Sequence, residues 1–476
     1  MNLIQKTGLE TRELFLKGDI TCSELVEAYL DKIKRDDGEL NVFITVMEDM
    51  ARAKAKELDE KREKGEPLGK MAGIVVSVKD NIAVKDVRMT CASKMLDDFV
   101  SPYDAIVTQK LKREDAILIG KVNMDEFAMG SSTKYSYYGV TKNPVDPTRV
   151  SGGSSGGSAA SVAAEFCAIS LGTDTGGSVR QPAAFCGLVG MKPSHGSISR
   201  YGVASMANTF DQVGVLAKSV DDVEYVLSIL EGSDLHDATC IGNESLQLDR
   251  EKDAKSLNGL KVAIPDVFKT FEVQDEVREA FIHTVDFMKS KGAEVEFVHI
   301  GSLDLAIAIY HILVNGEIAP NMSRYDGINY GYITDNYDNI EELYVRTRSE
   351  GFGTEVKRRI MIGSYIMSMD HSKEYWEQSL EMRHKMIEEF NSVFENHDII
   401  LCPTSPTVAV PIDDDMTPVE IYMLDLFTVP VNLIGTGGIS VPATKKNKLP
   451  VGIQIIPKKG NDIQAIQTAK ELEGNI

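Results

Sequence analysis

The chain has 476 residues, room for roughly two to four ordinary domains or for one large enzyme fold with insertions. Charged side chains make up 26% and hydrophobic ones 43%, a globular balance that excludes a disordered, collagen-like or disulfide-scaffold chain. A formal charge of −21 repels phosphate backbones and argues against direct binding of nucleic acid or an anionic membrane over a broad face.

The acidity is uneven. Residues 71–220 hold 15 Lys+Arg against 13 Asp+Glu, a net of +2, so the flanks carry −23. The six cysteines, Cys22, Cys91, Cys167, Cys186, Cys240 and Cys402, form no C-x-x-C pair, which argues against a zinc site and a secreted disulfide framework. The N-terminus lacks an apolar signal region, and no run of about 18 apolar residues stands out. A soluble, cytoplasmic protein without a metal site is the expectation.

In chain order, Thr21 and Glu24 form a capping box ahead of helical periodicity at Leu25, Ala28, Tyr29 and Ile33, and residues 47–65 are charge-rich and helix-prone. Residues 1–70 therefore read as helical. Gly73–Val78 is an apolar run ending at Lys79, and reads as a buried strand. Further strand-like runs lie at Ala116–Ile119, Cys167–Leu171, Lys261–Ile264, Ile399–Cys402 and Val451–Ile456. Strands alternating with helices predict an α/β fold with a largely buried sheet. Residues 221–397 are mostly helical in pattern, a cover around the sheet, and residues 398–476 return to strands and a helix. The four parts are expected to make one domain over 1–476, with 71–220 as its core.

The biased stretch Ser151–Ser158, SGGSSGGS, would pass in isolation for a flexible linker. It runs instead into a small-residue helix, a buried strand and a second glycine-rich turn, Gly172–Ser178, before Val179-Arg180-Gln181-Pro182. Proline there suits the first turn of a helix, and unpaired N–H groups at such a start can hold negative charge. If Ser178 attacks a carbonyl, amides around Thr175, Gly176, Gly177 and Ser178 can form an oxyanion hole.

Competing motifs fail on spacing. Asp115 stands where a P-loop needs its first glycine, and no G-x-G-x-x-G occurs, so the chain itself is expected to bind no nucleotide. Gly152–Gly156 matches G-x-S-x-G, but two prolines in the segment before it oppose the strand that a nucleophile elbow requires. No pair among the eight histidines has H-E-x-x-H spacing, and only His195 lies within the core stretch. A proton acceptor other than histidine is then needed. Lys79, at the end of a hydrophobic strand, can be neutral near pH 7 if desolvated.

Lys79 in VSVKDN, Ser154 in SGGSSGGS and Ser178 in GTDTGGSVRQPAAFCG, followed by GLVGMKPS, SRYG and DQVG, resemble the amidase signature family over nearly the whole chain. The resemblance implies a single α/β/α domain with a mixed central sheet covered by helices. It also implies a Ser-cisSer-Lys triad, with Ser178 as acyl nucleophile, Ser154 as the bridging serine beside a cis peptide, and Lys79 as base. MDEFAMGSS, SRYDGINYG, EVKRRIMIGSY and YMLDLFTVPVNLIG are most similar to the branch that serves tRNA-dependent amidotransferases. That resemblance implies glutamine as substrate, held by Arg358, Asp425 and Met129. It implies partners too: a B subunit that binds tRNA and uses ATP and Mg, and a small C subunit in a heterotrimer, with no cofactor in this chain and tRNA reached only through the complex. A free-standing amidase acting on small or aryl amides is the alternative. His195, Ser197 and Thr436 depart from the family pattern in segments expected to line or support the pocket.

Overall fold

The computed structural model describes residues 2–240, 254–269, 272–443 and 448–476. Its framework is one mixed sheet of eleven strands in the order β1-β3-β2-β4-β6-β5-β10-β11-β9-β7-β8. They are β1 (Phe43–Val46), β2 (Val75–Lys79), β3 (Ile117–Val122), β4 (Ile169–Asp174), β5 (Val189–Lys192), β6 (Gln212–Ala217), β7 (Lys261–Pro265), β8 (Glu294–Val298), β9 (Ile399–Pro403), β10 (Gly438–Pro442) and β11 (Gly452–Pro457). The α/β class with a mixed sheet is as expected, and strands from all four parts of the chain share that sheet.

The six apolar runs each form a strand within a few residues of the expected bounds. Five strands depart from expectation. β1 lies inside the stretch read as helical, and β8 lies within the helical cover. β8 is an edge strand whose GluValGluPheVal alternation is only partly buried, so it lacks the apolar run of a central strand. β5 (VGMK) and β10 (GISVP) are short and mixed in composition, so pairing on both sides fixes them as strands, whereas β6 carries an apolar run, Val213–Ala217, missing from the expected strands.

β2 pairs in parallel with β3 and β4, and all residues of these three strands are buried. Lys79 and Asp174 therefore end at the same edge of the sheet. Carboxyl ends of parallel strands are where open α/β sheets bind ligands.

The capping box at Thr21 is formed: the Glu24 N–H donates to Thr21 Oγ1, and the Thr21 N–H donates to Glu24 Oε2 at 2.8 Å. Among the described residues, Gly301–Met322 alone is long and apolar enough on average to cross a membrane, although Asp304, His311, Asn315 and Glu317 interrupt its apolar residues. Its helix Ala306–Met322 is a core helix, with Ile309, Leu313, Val314, Ile318 and Met322 buried. Helix Thr354–Ile366 crosses it so closely that a Cβ on Gly363 would lie 1.9 Å from the Asn315 carbonyl oxygen.

Candidate active site

Lys79 is fully buried at the end of β2. Its Nζ lies 2.7 Å from Ser154 Oγ, 2.8 Å from Ser155 Oγ and 3.3 Å from the Thr173 carbonyl oxygen. Burial pushes its pKa down to about 7, against the opposing pull of the Asp125, Asp174 and Asp211 carboxylates. Half of such amines are neutral at pH 7, whereas a solvated lysine is almost entirely charged.

Ser154 follows a cis peptide bond, Gly153–Ser154. No strand lies between β3 and Ser154, so the G-x-S-x-G match has no nucleophile elbow beneath it. Asp125 donates its N–H to the Ser154 carbonyl at 3.2 Å, and Gly153 donates its own to Gln181 Oε1 at 3.1 Å. A Cβ on Gly153 would fall 2.1 Å from Asp125 Oδ2, so no larger residue fits there. Ser155 escaped sequence reasoning, because nothing in GGSSGG separates one serine from the other. The structure separates them: Ser155 donates to the Thr173 carbonyl at 3.1 Å, and its N–H donates to the Ser178 carbonyl at 3.1 Å.

Ser178 ends the turn between β4 and helix Arg180–Cys186, in whose first turn Pro182 sits. β4 runs on to Asp174, so the glycine-rich turn is only Thr175–Ser178 and not Gly172–Ser178. Asp174 organises it, accepting the N–H groups of Gly177 at 2.9 Å and Val179 at 3.1 Å. Gly177 therefore leaves the expected oxyanion set, because its donor is already committed. The N–H groups of Thr175, Gly176 and Ser178 have no acceptor among the described residues. Thr175 Oγ1 donates to Asp211 at 2.7 Å, and the Thr428 hydroxyl donates to the Gly176 carbonyl at 2.7 Å. Side chains are excluded, since a Cβ on Gly176 would lie 2.6 Å from Tyr310 Oη and one on Gly177 2.2 Å from Thr428 Oγ1.

Behind the turn, Arg180 is buried with all five N–H donors used. They reach Asp174 Oδ1 and Oδ2 at 2.8 and 3.0 Å, the Thr428 carbonyl at 3.0 Å, and Gln454 Oε1 and Asn432 Oδ1 at 2.5 Å each. Burial alone would raise Asp174, but the Arg180 guanidinium and the Lys192 charge hold it well below the usual carboxylate range.

A second cluster joins this one through the loop after β3. Asp425 is partly buried, with its Oδ1 shielded from solvent; the Ser131 hydroxyl donates to Oδ2, and Oδ1 has no partner among the described residues. Burial pushes its pKa up to about 7. The Ser131 carbonyl accepts from Gln181 Nε2 at 3.0 Å, so the chain Asp425–Ser131–Gln181–Gly153 runs to the cis peptide. Arg358, on helix Thr354–Ile366, is partly exposed and pairs with Glu355. Glu355 also binds Arg359 at 2.8 Å and accepts from Tyr422 Oη at 3.0 Å. Two arginines on one carboxylate leave a net positive charge. An orphaned buried carboxylate oxygen and an excess guanidinium are what a zwitterion requires. Met129 is fully buried in the same loop, packed into the main core.

The departing residues support the sheet. His195 donates its N–H to the Gly435 carbonyl at 3.2 Å, Thr436 Oγ1 donates to the Pro457 carbonyl at 2.6 Å, and Ser197 Oγ donates to the Ser194 carbonyl at 2.7 Å. None of them bonds to Lys79, Ser154, Arg358 or Asp425.

The sequence profile of the amidase family matches residues 24–465, and the chain belongs to that family. It is 42% identical to the A subunit of the glutamyl-tRNA(Gln) amidotransferase of Fusobacterium nucleatum, over all of this chain and 97% of that one. With the protein of the same name from Staphylococcus haemolyticus it shares 44% identity, over 97% of this chain and 95% of the other. Among solved structures, the corresponding glutamyl-tRNA(Gln) amidotransferase polypeptide of Thermotoga maritima superposes with a TM-score of 0.81 at 35% identity, covering 99% of this chain and 95% of that one.

Proposed function

We propose that this chain is the glutamine-hydrolysing subunit of a tRNA-dependent amidotransferase. It releases ammonia that a partner B subunit uses, with ATP and Mg, to amidate misacylated Glu-tRNA(Gln) or Asp-tRNA(Asn). The complex would be a cytoplasmic heterotrimer with a small C subunit. The names of full-length relatives favour this reading over a free-standing amidase. Exposed apolar side chains on and beyond helix Thr354–Ile366, among them Met361, Tyr365 and Met369, are surface that a partner would cover.

The observation that carries the chemistry is the surroundings of Lys79. A neutral amine has two N–H donors and one lone pair. The Thr173 carbonyl can only accept, and Ser155 already donates to that carbonyl and so accepts from Lys79 as well. Both N–H groups are thereby spent, and the lone pair is left for the Ser154 proton.

In this mechanism Lys79 withdraws that proton, Ser154 takes one from Ser178, and Ser178 attacks the side-chain amide of glutamine. The free N–H groups of Thr175, Gly176 and Ser178 hold the oxyanion. The Lys79 ammonium then returns a proton through Ser154 to the leaving nitrogen. Ammonia departs, and water hydrolyses the Ser178 ester to glutamate. Asp425 takes the α-ammonium and Arg358 the α-carboxylate.

Ser178→Ala and Lys79→Ala are the direct test. Both should abolish ammonia release while leaving thermal unfolding cooperative. Wild-type turnover in Lys79→Ala would end the relay. Full glutaminase activity that needs no partner and ignores tRNA would count against the subunit reading.

A further inference from the structure

The loop after β3 carries an acid that the chemistry above does not use. Glu126 is 3% exposed. Its Oε2 accepts the Gly353 N–H at 2.8 Å, and its Oε1 accepts the Ser93 hydroxyl. Gly353 is the residue before helix Thr354–Ile366 and has no side chain with which to cap it. A Cβ on Gly353 would lie 2.3 Å from Glu126 Oε2, so glycine is what admits the carboxylate. Within the next two turns the same helix presents Glu355, Arg358 and Arg359.

Glu126 is itself held from below. The two residues after it, Phe127 and Ala128, are both left-handed, at φ 48° and 64°, and so are Cys91 and Ala92, at 51° and 53°. Such non-glycine residues are strained and persist where their surroundings dictate them, often beside functional sites. The Phe127 N–H donates to the Cys91 carbonyl at 2.9 Å and joins the two pairs. The Phe127 ring packs 4.7 Å from Tyr325 and 5.8 Å from Phe352, the residue before Gly353. The loop is thus clamped to the start of the arginine helix at one point and, through Ser131, to Asp425 at another.

We propose that Glu126 is a positioning residue for glutamine binding: it fixes the start of helix Thr354–Ile366 on the loop that carries Ser131, and so sets the separation between Arg358 and Asp425. This rests on the reading of Arg358 and Asp425 as the two ends of the glutamine site. The Gly353 contact needs an acceptor oxygen and not a charge, so glutamine should replace Glu126 and alanine should not.

The test is glutamine kinetics of the full-length chain for Glu126→Gln, Glu126→Ala, Arg358→Ala and the double variant Glu126→Ala/Arg358→Ala. Glu126→Ala should raise KM about ten-fold with kcat within about two-fold, and Glu126→Gln should stay within about two-fold of the parent in both. In the Arg358→Ala background, Glu126→Ala should add less than about two-fold, because residues acting through one another are not additive. If Glu126→Ala does not fold, Gly353→Ala replaces it in the same cycle, with the same rise expected. The proposal is overturned if KM does not move, if kcat falls in step with it, or if the effect is equal in both backgrounds. An unchanged KM in Arg358→Ala alone would instead sink the glutamine-site reading.

Discussion

The sharpest consequence of the site is a difference between two pH profiles. Lys79 must be neutral to accept a proton, and its pKa is pushed down to about 7. Asp425 must be ionised to hold an α-ammonium, and its pKa is pushed up to about 7. Both requirements fail as pH falls. In kcat/KM, which reports the free enzyme, they multiply: each competent fraction is about 0.09 at pH 6 and about 0.91 at pH 8, so the product changes about 100-fold. In kcat, which reports the bound complex, the substrate ammonium beside Asp425 keeps it ionised. Only Lys79 then titrates, and the change is about ten-fold. Initial rates of ammonia release between pH 6 and 8 give both numbers, and Asp425→Asn should reduce the kcat/KM profile to the single-group slope. A flat kcat would remove Lys79 as the base. A wild-type kcat/KM with the same slope as kcat would remove Asp425 as the ammonium ligand.

Other outcomes follow from the same geometry. Arg358→Ala should raise the glutamine KM about 10- to 100-fold, the worth of a charge-assisted bidentate contact, without altering the use of free ammonia in the coupled reaction. Asp425→Asn should stabilise the unliganded chain. Its raised pKa is a penalty that is complete above about pH 7 and gone below the unfolded value near 4, so melting curves should show a gain of a few kcal/mol at pH 8 that vanishes toward pH 4. Gly177→Ala should lower both kcat and melting temperature, because its Cβ would meet Thr428 Oγ1. The isolated chain should bind tRNA weakly, and a tight, salt-sensitive complex with it alone would contradict the charge argument.

What was legible in the sequence was local. Lys79 ends a continuous apolar run, and the serines stand in glycine-rich strings whose tight packing follows from their neighbours. Partnerships made across the sheet were not legible. Nothing near Gly177 says that Asp174 will take its N–H, because that depends on how the chain turns after β4. Ser131, Gln181 and Glu355 are ordinary polar residues until folding brings them beside Asp425, Gly153 and Arg358. β5 and β10 are too short and mixed to show an apolar run, whereas β6 does carry one at Val213–Ala217. Glu294–Val298 does alternate, and that period of two was the signal by which β8 could have been found.

Arg180 has a temporal implication. The turn that bears Ser178 is held through this side chain by Asn432 and Gln454, and directly by Thr428 and Asn432, all of which a ribosome adds only near the end of synthesis. A nascent chain that has already made Lys79, Ser154 and Ser178 still lacks the struts that shape the turn. Competence to consume glutamine therefore arrives with the final strands, and a truncated product, however much of the sheet it forms, is born inert.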